Sequence, residues 1–254
     1  MKLGLVTYNM AKDWDLETII EKCEETGFQG VELRTTHAHG VEDDLNESER
    51  KDVREMFESS NVELVGLGSA FEYHATDQKE VKENIEGTKS YVVLASDVGA
   101  EEVKVRPNGL QLDKGIPKEQ TLEQIGLALR ECGEFAKDYD IQIRLEVHGQ
   151  GTREPRNIRK IMEFADHDNV FVCWNSNDTD VENGSIDNNF HLLEDWIAQI
   201  HMRDLFLDYP WKELFTHLRG VDFDGYCLAE IPGSSDPVRV LNYYRALWEE
   251  LSSG

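Results

Sequence analysis

The stretch QIRLEVHG, residues 142–149, alternates in character: Ile143, Leu145 and Val147 are apolar, while Gln142, Arg144, Glu146 and His148 are polar. A period of two is the mark of a β-strand. A strand at the surface of an antiparallel sheet shows the same alternation with its polar side in water. The neighbouring sequence points elsewhere, because similar runs recur along the chain and each is followed by a helical pattern. Strand-like runs cover 3–8, 28–34, 62–68, 101–107, 141–147, 169–175, 197–203 and 225–231. Helical spacing covers 15–26, 47–60, 77–98, 118–139, 157–166, 187–196, 210–219 and 236–252.

Strict β-α alternation implies parallel strands joined by crossover helices. Eight such units in about 250 residues predict an α/β fold of the (β/α)8 TIM barrel type. One domain over residues 1–254 is the economical division, since no linker or low-complexity segment interrupts the rhythm. A doubly wound open sheet would use fewer units at this length. Its G-x-G-x-x-G fingerprint is absent after the first strand, and no G-x-x-x-x-G-K-[ST] occurs.

In a barrel the polar face of QIRLEVHG must point into the lumen. Other strands carry the same kind of face: Glu32 and Arg34, Lys104 and Arg106, and Gln199, His201 and Arg203. Buried charges must be paired or bound to a metal. Glu32, Lys104 and Arg144 are accordingly expected to form a structural ion-pair network low in the barrel.

The C-terminal strand ends are where barrel enzymes place their chemistry. The last four strands end in LEVHG, CWNSND, IHMRD and LAEIPG, which puts Glu146, Asn175, His201 and Glu230 on adjacent strand ends. Two carboxylates, an imidazole and an amide oxygen converging there make an oxygen-rich site for a divalent metal. Around it, Arg203 and Arg106 are candidates for holding a substrate oxygen or a phosphate, Arg106 equally for a salt bridge to an acid. His148 is a candidate for binding substrate or supporting a ligand. His37, with His39 in the loop TTHAHG, is a candidate substrate contact, and a plain surface loop reads equally well. Glu72 and His74 have the same standing. Trp14, Phe71, Tyr73 and Trp211 fall on or near βα loops, where core packing is slightly favoured over ligand stacking. Trp174 should pack outward, under a helix.

With these residues in view, the chain resembles the xylose isomerase-like barrel superfamily over essentially its whole length. The likeness is to the sugar phosphate isomerase/epimerase branch, with its ketose 3-epimerases and inosose dehydratases. LEVHG, HMRD and AEIPG carry it. The resemblance implies a divalent metal, Mn²⁺, Mg²⁺, Co²⁺ or Zn²⁺, held by Glu146, Asn175, His201 and Glu230. It also implies proton transfer next to a carbonyl of a small sugar or polyol, with Glu146 and Glu230 as acid and base on opposite faces. Depending on where the proton goes, the outcome is epimerisation, isomerisation or an inosose-type dehydration. One position departs: the family's strand-6 Asp, followed three residues later by His, is here Asn175 followed by Asp178. That predicts weaker metal binding, or Asp178 as a substitute ligand. It also keeps open a metal-free, non-catalytic carbohydrate-binding barrel.

Composition narrows the partners. The formal net charge is −25, with 51 acidic against 26 basic residues. Such a surface repels nucleic acid and anionic membranes. It argues against the related endonuclease IV activity, as does strand 4, which ends in VRP without an acid or His for a multi-metal cluster. No apolar run of about 18 residues is present to span a membrane. MKLGLVTY reads straight into a strand without signal-peptide features, so a cytoplasmic location is the default expectation. Cys23, Cys132, Cys173 and Cys227 lack disulfide or zinc spacing and are expected as reduced, buried thiols. Homo-oligomers are common among such barrels, and no stretch here marks an interface.

Overall fold

The computed structural model describes residues 1–253. Eight parallel strands close into a barrel in chain order: β1 (Lys2–Val6), β2 (Gly30–Arg34), β3 (Glu63–Glu72), β4 (Glu102–Arg106), β5 (Gln142–Glu146), β6 (Val170–Asn175), β7 (Ile197–Met202) and β8 (Tyr226–Ala229). Between and after them run α1 (Leu16–Thr26), α2 (Glu47–Glu58), α3 (Gln78–Val98), α4 (Lys118–Lys137), α5 (Pro155–Ala165), α6 (Asp187–Leu193), α7 (Trp211–Gly220) and α8 (Pro237–Ser252). The expected (β/α)8 architecture is therefore the observed one. None of the described helices is long and apolar enough to cross a membrane.

Local chemistry sets the helix boundaries. Asp15 accepts from the Thr18 amide and starts α1, and Asn46 forms a capping box with Glu49 at α2. Gly27 and Gly99 end α1 and α3 in the left-handed conformation that a side chain disfavours.

The apolar alternate of each strand lies under the helices, and Val31, Val103, Ile143, Leu145 and Ile200 are all fully buried there. Trp174 behaves as expected, packing on Phe190 at 5.8 Å between ring centroids, with its Nε1 donating to the Tyr209 hydroxyl. Of the four loop aromatics, Tyr73 and Trp211 are buried, and Trp14 and Phe71 pack partly buried against the same core. All four cysteines are free and buried.

The lumen holds Glu32, Glu102, Lys104, Arg144, Glu146, Gln199 and His201, all buried. Two glycines make room for the carboxylates. A Cβ at Gly66 would overlap Glu102 Oε1, and one at Gly68 would overlap Glu32 Oε1.

The strand register lines up the site. Glu146 pairs with Cys173, two residues before Asn175; Asn175 pairs with His201; His201 pairs with Leu228, two residues before Glu230. The offset accumulates to four residues over three strands. That is near the one residue per strand that keeps a level in an eight-stranded barrel of shear about 8. The four side chains therefore reach similar heights at the C-terminal mouth.

Candidate active site

A cavity of about 920 Å³ opens at this mouth, with Glu146, Asn175 and Glu230 in its wall. Glu146, His201 and Glu230 each offer a ligand atom, and these atoms lie within 4.8 Å of one another. The three could hold a metal ion between them. His201 suits that use: its Nε2 sits 3.0 Å from Glu32 Oε2, while its Nδ1 is buried with no hydrogen-bond partner among the described residues and lies 3.8 Å from Glu230 Oε2. A carboxylate behind an imidazole fixes the ring and leaves the far nitrogen to ligate. In donor type and number these residues fit a divalent ion.

Asn175 is joined to the same carboxylate: its Nδ2 donates to Glu146 Oε1 at 3.0 Å. Asp178 is not a substitute: its side chain is 85 % exposed on a short 3-10 turn (Asp178–Asp180) and pairs with Arg203 at 3.1 Å. That expectation is corrected by geometry, since the turn after β6 carries the carboxylate out into solvent.

The expected Glu32–Lys104–Arg144 network is also corrected. Arg144 donates to Gln142 and Gln199, and Gln199 in turn donates to Glu32 Oε2 at 2.6 Å. Lys104 reaches upward instead, with its Nζ 2.7 Å from Glu146 Oε2. Lys104 Cα pairs with Arg144, and the barrel stagger places it only about one residue below the level of Glu146. A four-carbon stem spans that step easily.

These neighbours set the ionisation of the site. Burial alone would raise the Glu146 carboxyl, but the Lys104 ammonium and His201 outweigh it and hold it down at about 2. Burial pushes Glu230 up, and the nearby Glu146 charge adds to that rise against the pull of His201. Burial also works against the Lys104 ammonium, and Glu146 and Glu32 more than compensate. The two carboxylates at the mouth are thus pushed in opposite directions.

Arg106, His148 and Arg203 line the cavity as the strand ends predicted. Arg106 donates to Glu72 Oε1 at 2.7 Å, and His148 Nδ1 donates to Asn108 Oδ1 at 2.7 Å. Asn108 also donates to Glu72, which ties the β3, β4 and β5 loops together. Burial lowers the His148 pKa, against the pull of the Glu146 charge. His37 is not among the lining residues, and its Nδ1 is 2.9 Å from Thr7 Oγ1. His39 is a loop strut, accepting from the Val41 amide at Nδ1 and donating from Nε2 to the Arg34 carbonyl. Tyr8, Asn177 and the 149–151 loop also line the cavity and had no mark in the sequence period.

The model of the xylose isomerase-like TIM barrel family matches residues 20–250. The chain belongs to that family. Solved structures of the same fold include D-psicose 3-epimerase with D-tagatose from Clostridium cellulolyticum H10, at 14 % identity and a TM-score of 0.84, covering 99 % of each chain. The apo 3-keto-D-glucoside 4-epimerase YcjR from E. coli is similar at 14 % identity and a TM-score of 0.80, covering 98 % of this chain and 99 % of that one. The IolI protein with a bound zinc atom is similar at 19 % identity and a TM-score of 0.77, covering 99 % and 96 %. No curated protein sequence matches the chain. At these identities the likeness to solved structures is one of fold.

Proposed function

We propose that the protein is an isomerase or epimerase of a small sugar or polyol, acting by proton transfer at the carbon next to a carbonyl. The observation that carries this reading is the pair Glu146 and Glu230, both in the wall of one cavity with their ionisation pushed in opposite directions. Carboxyl groups separated in this way serve as base and acid.

In this reading Glu146, which its neighbours keep ionised, takes the proton from carbon. The electron pair of the C–H bond becomes a C=C bond, and the carbonyl oxygen gains the negative charge of an enediolate. Glu230, whose ionisation is disfavoured, returns a proton. Return to the opposite face of the same carbon is epimerisation, and return to the neighbouring carbon is isomerisation. Loss of a hydroxide from the same intermediate is the dehydration open to an inosose-type substrate. Each positioned acid or base contributes about 10²–10⁴-fold. Arg106, Arg203 and His148 would hold the substrate's oxygens at the rim. A divalent metal, Mn²⁺, Mg²⁺, Co²⁺ or Zn²⁺, would be held by Glu146, His201 and Glu230, and would supply Lewis-acid polarisation of the carbonyl.

The test is exchange of carbon-bound hydrogen for deuterium, followed by NMR across a panel of ketoses and inososes in D2O. Exchange in the wild type that is lost in Glu146→Gln and Glu230→Gln supports the reading. Sugar binding without exchange would replace it with a binding barrel.

A further inference from the structure

The carboxylate at the centre of this site already has a cation. Lys104 Nζ lies 2.7 Å from Glu146 Oε2, and the two side chains are only 3 % and 4 % exposed. The other oxygen, Oε1, accepts from Asn175 Nδ2 at 3.0 Å. Both oxygens of Glu146 are therefore engaged by donors from the chain itself. An ion sharing Glu146 would sit against a buried ammonium that repels it, with Asn175 contributing no charge. Lys104 is also among the residues that line the cavity.

We propose that Lys104 is the resident cation of this site: it weakens the binding of divalent metal at Glu146 and itself stabilises the negative charge that develops on the substrate oxygen. The second half of this statement rests on the proton-transfer reading above; the first half stands without it. In the chemical step the C–H bond breaks and its proton passes to Glu146. The carbon electron pair forms C=C, and the carbonyl π pair becomes the oxyanion facing Lys104. Lys104 keeps its proton throughout, and nothing is oxidised or reduced.

The experiment is metal binding by the full chain, without turnover. Wild type and Lys104→Met are stripped with chelator, loaded with Mn²⁺ or Zn²⁺, desalted and assayed by elemental analysis, and their affinities are measured by calorimetry. The wild type is expected to lose its ion on desalting. Lys104→Met is expected to keep about one ion per chain and to bind at least about tenfold more tightly, because a like charge beside the ligand is gone. A wild type that retains a stoichiometric ion overturns the proposal, and this arm needs no variant to fold. A folded Lys104→Met, checked by circular dichroism, with unchanged affinity overturns it as well. Absence of deuterium exchange in every protein would remove the proton-transfer reading and leave the metal result standing.

Discussion

His201 Nε2 lies 3.0 Å from Glu32 Oε2, and both side chains are essentially inaccessible to water. Glu32 comes from β2, on the far side of the lumen from β7, yet it decides how the imidazole stands. Glu32→Gln keeps the shape but removes the charge that faces the ring. The expected result is a loss of about 10–100-fold in exchange rate or metal affinity. Steady-state exchange kinetics and metal titration check it; an unchanged rate and affinity would show that packing alone orients His201.

Glu146 and Lys104 form a buried ion pair, so removing one partner strands the other. Glu146→Ala is expected to destabilise the protein by about 3–5 kcal/mol, whereas Lys104→Met with Glu146→Leu should cost far less. Denaturant unfolding of the wild type, both single variants and the double variant gives the coupling energy. Additive losses would mean that the pair does not exist in solution.

The same pair has a consequence at low pH. Glu146 sits at about 2 when folded against an ordinary value of 4.5. Between these values the unfolded chain binds a proton that the folded one does not, so the contribution to stability is full above 4.5 and fades as pH falls toward 2. Urea midpoints across this range should fall more steeply for the wild type than for the double variant.

Glu102 and Asp180 act in the opposite direction. Burial pushes each carboxyl up to about 8, and both Glu102 oxygens and Asp180 Oδ1 lack a hydrogen-bond partner among the described residues. From the unfolded pKa up to about 8 the folded state holds protons that the unfolded state has released, so stability declines as pH rises through that window. Glu102→Gln is expected to flatten part of this slope and to stabilise the protein at pH 8 by roughly 1–3 kcal/mol. Thermal unfolding across pH 5–9 checks the sign, and an unchanged slope would mean that Glu102 finds a partner when ionised.

Gly66 gives Glu102 its space. Gly66→Ala should cost about 1–3 kcal/mol by overpacking. Combination with Glu102→Ala should recover most of the loss, measured by denaturant midpoint.

The barrel was legible because each strand obeys a period of two and each helix one of 3.6, and no competing motif interrupts them. IQIRLEV reads as a strand over 141–147 and is observed as Gln142–Glu146. The four strand-end residues were legible for the same reason, since the end of a strand follows from its period and its loop. Lys104 was misplaced because its height depends on the stagger between strands and on the reach of its stem, neither of which is written in the period of β4. Asp178 and His37 both lie on turns beyond a strand, where spacing says nothing of direction. At Asn175 the residue type alone leaves both ends of the amide open, and in the structure the nitrogen faces the Glu146 carboxylate.

The register described above divides the labour of the barrel unevenly. Glu146, Asn175, His201 and Glu230 all come from β5–β8, while their counter-charges come from earlier in the chain: Lys104 on β4 for Glu146, and Glu32 on β2 for His201. Neither half of the barrel is electrically complete alone. A chimera that swapped β5–β8 for the same strands of a relative would import strand-end side chains without the lumen charges that face them here. Modular recombination at the middle of this barrel should therefore fail unless positions 32 and 104 travel with the half they neutralise.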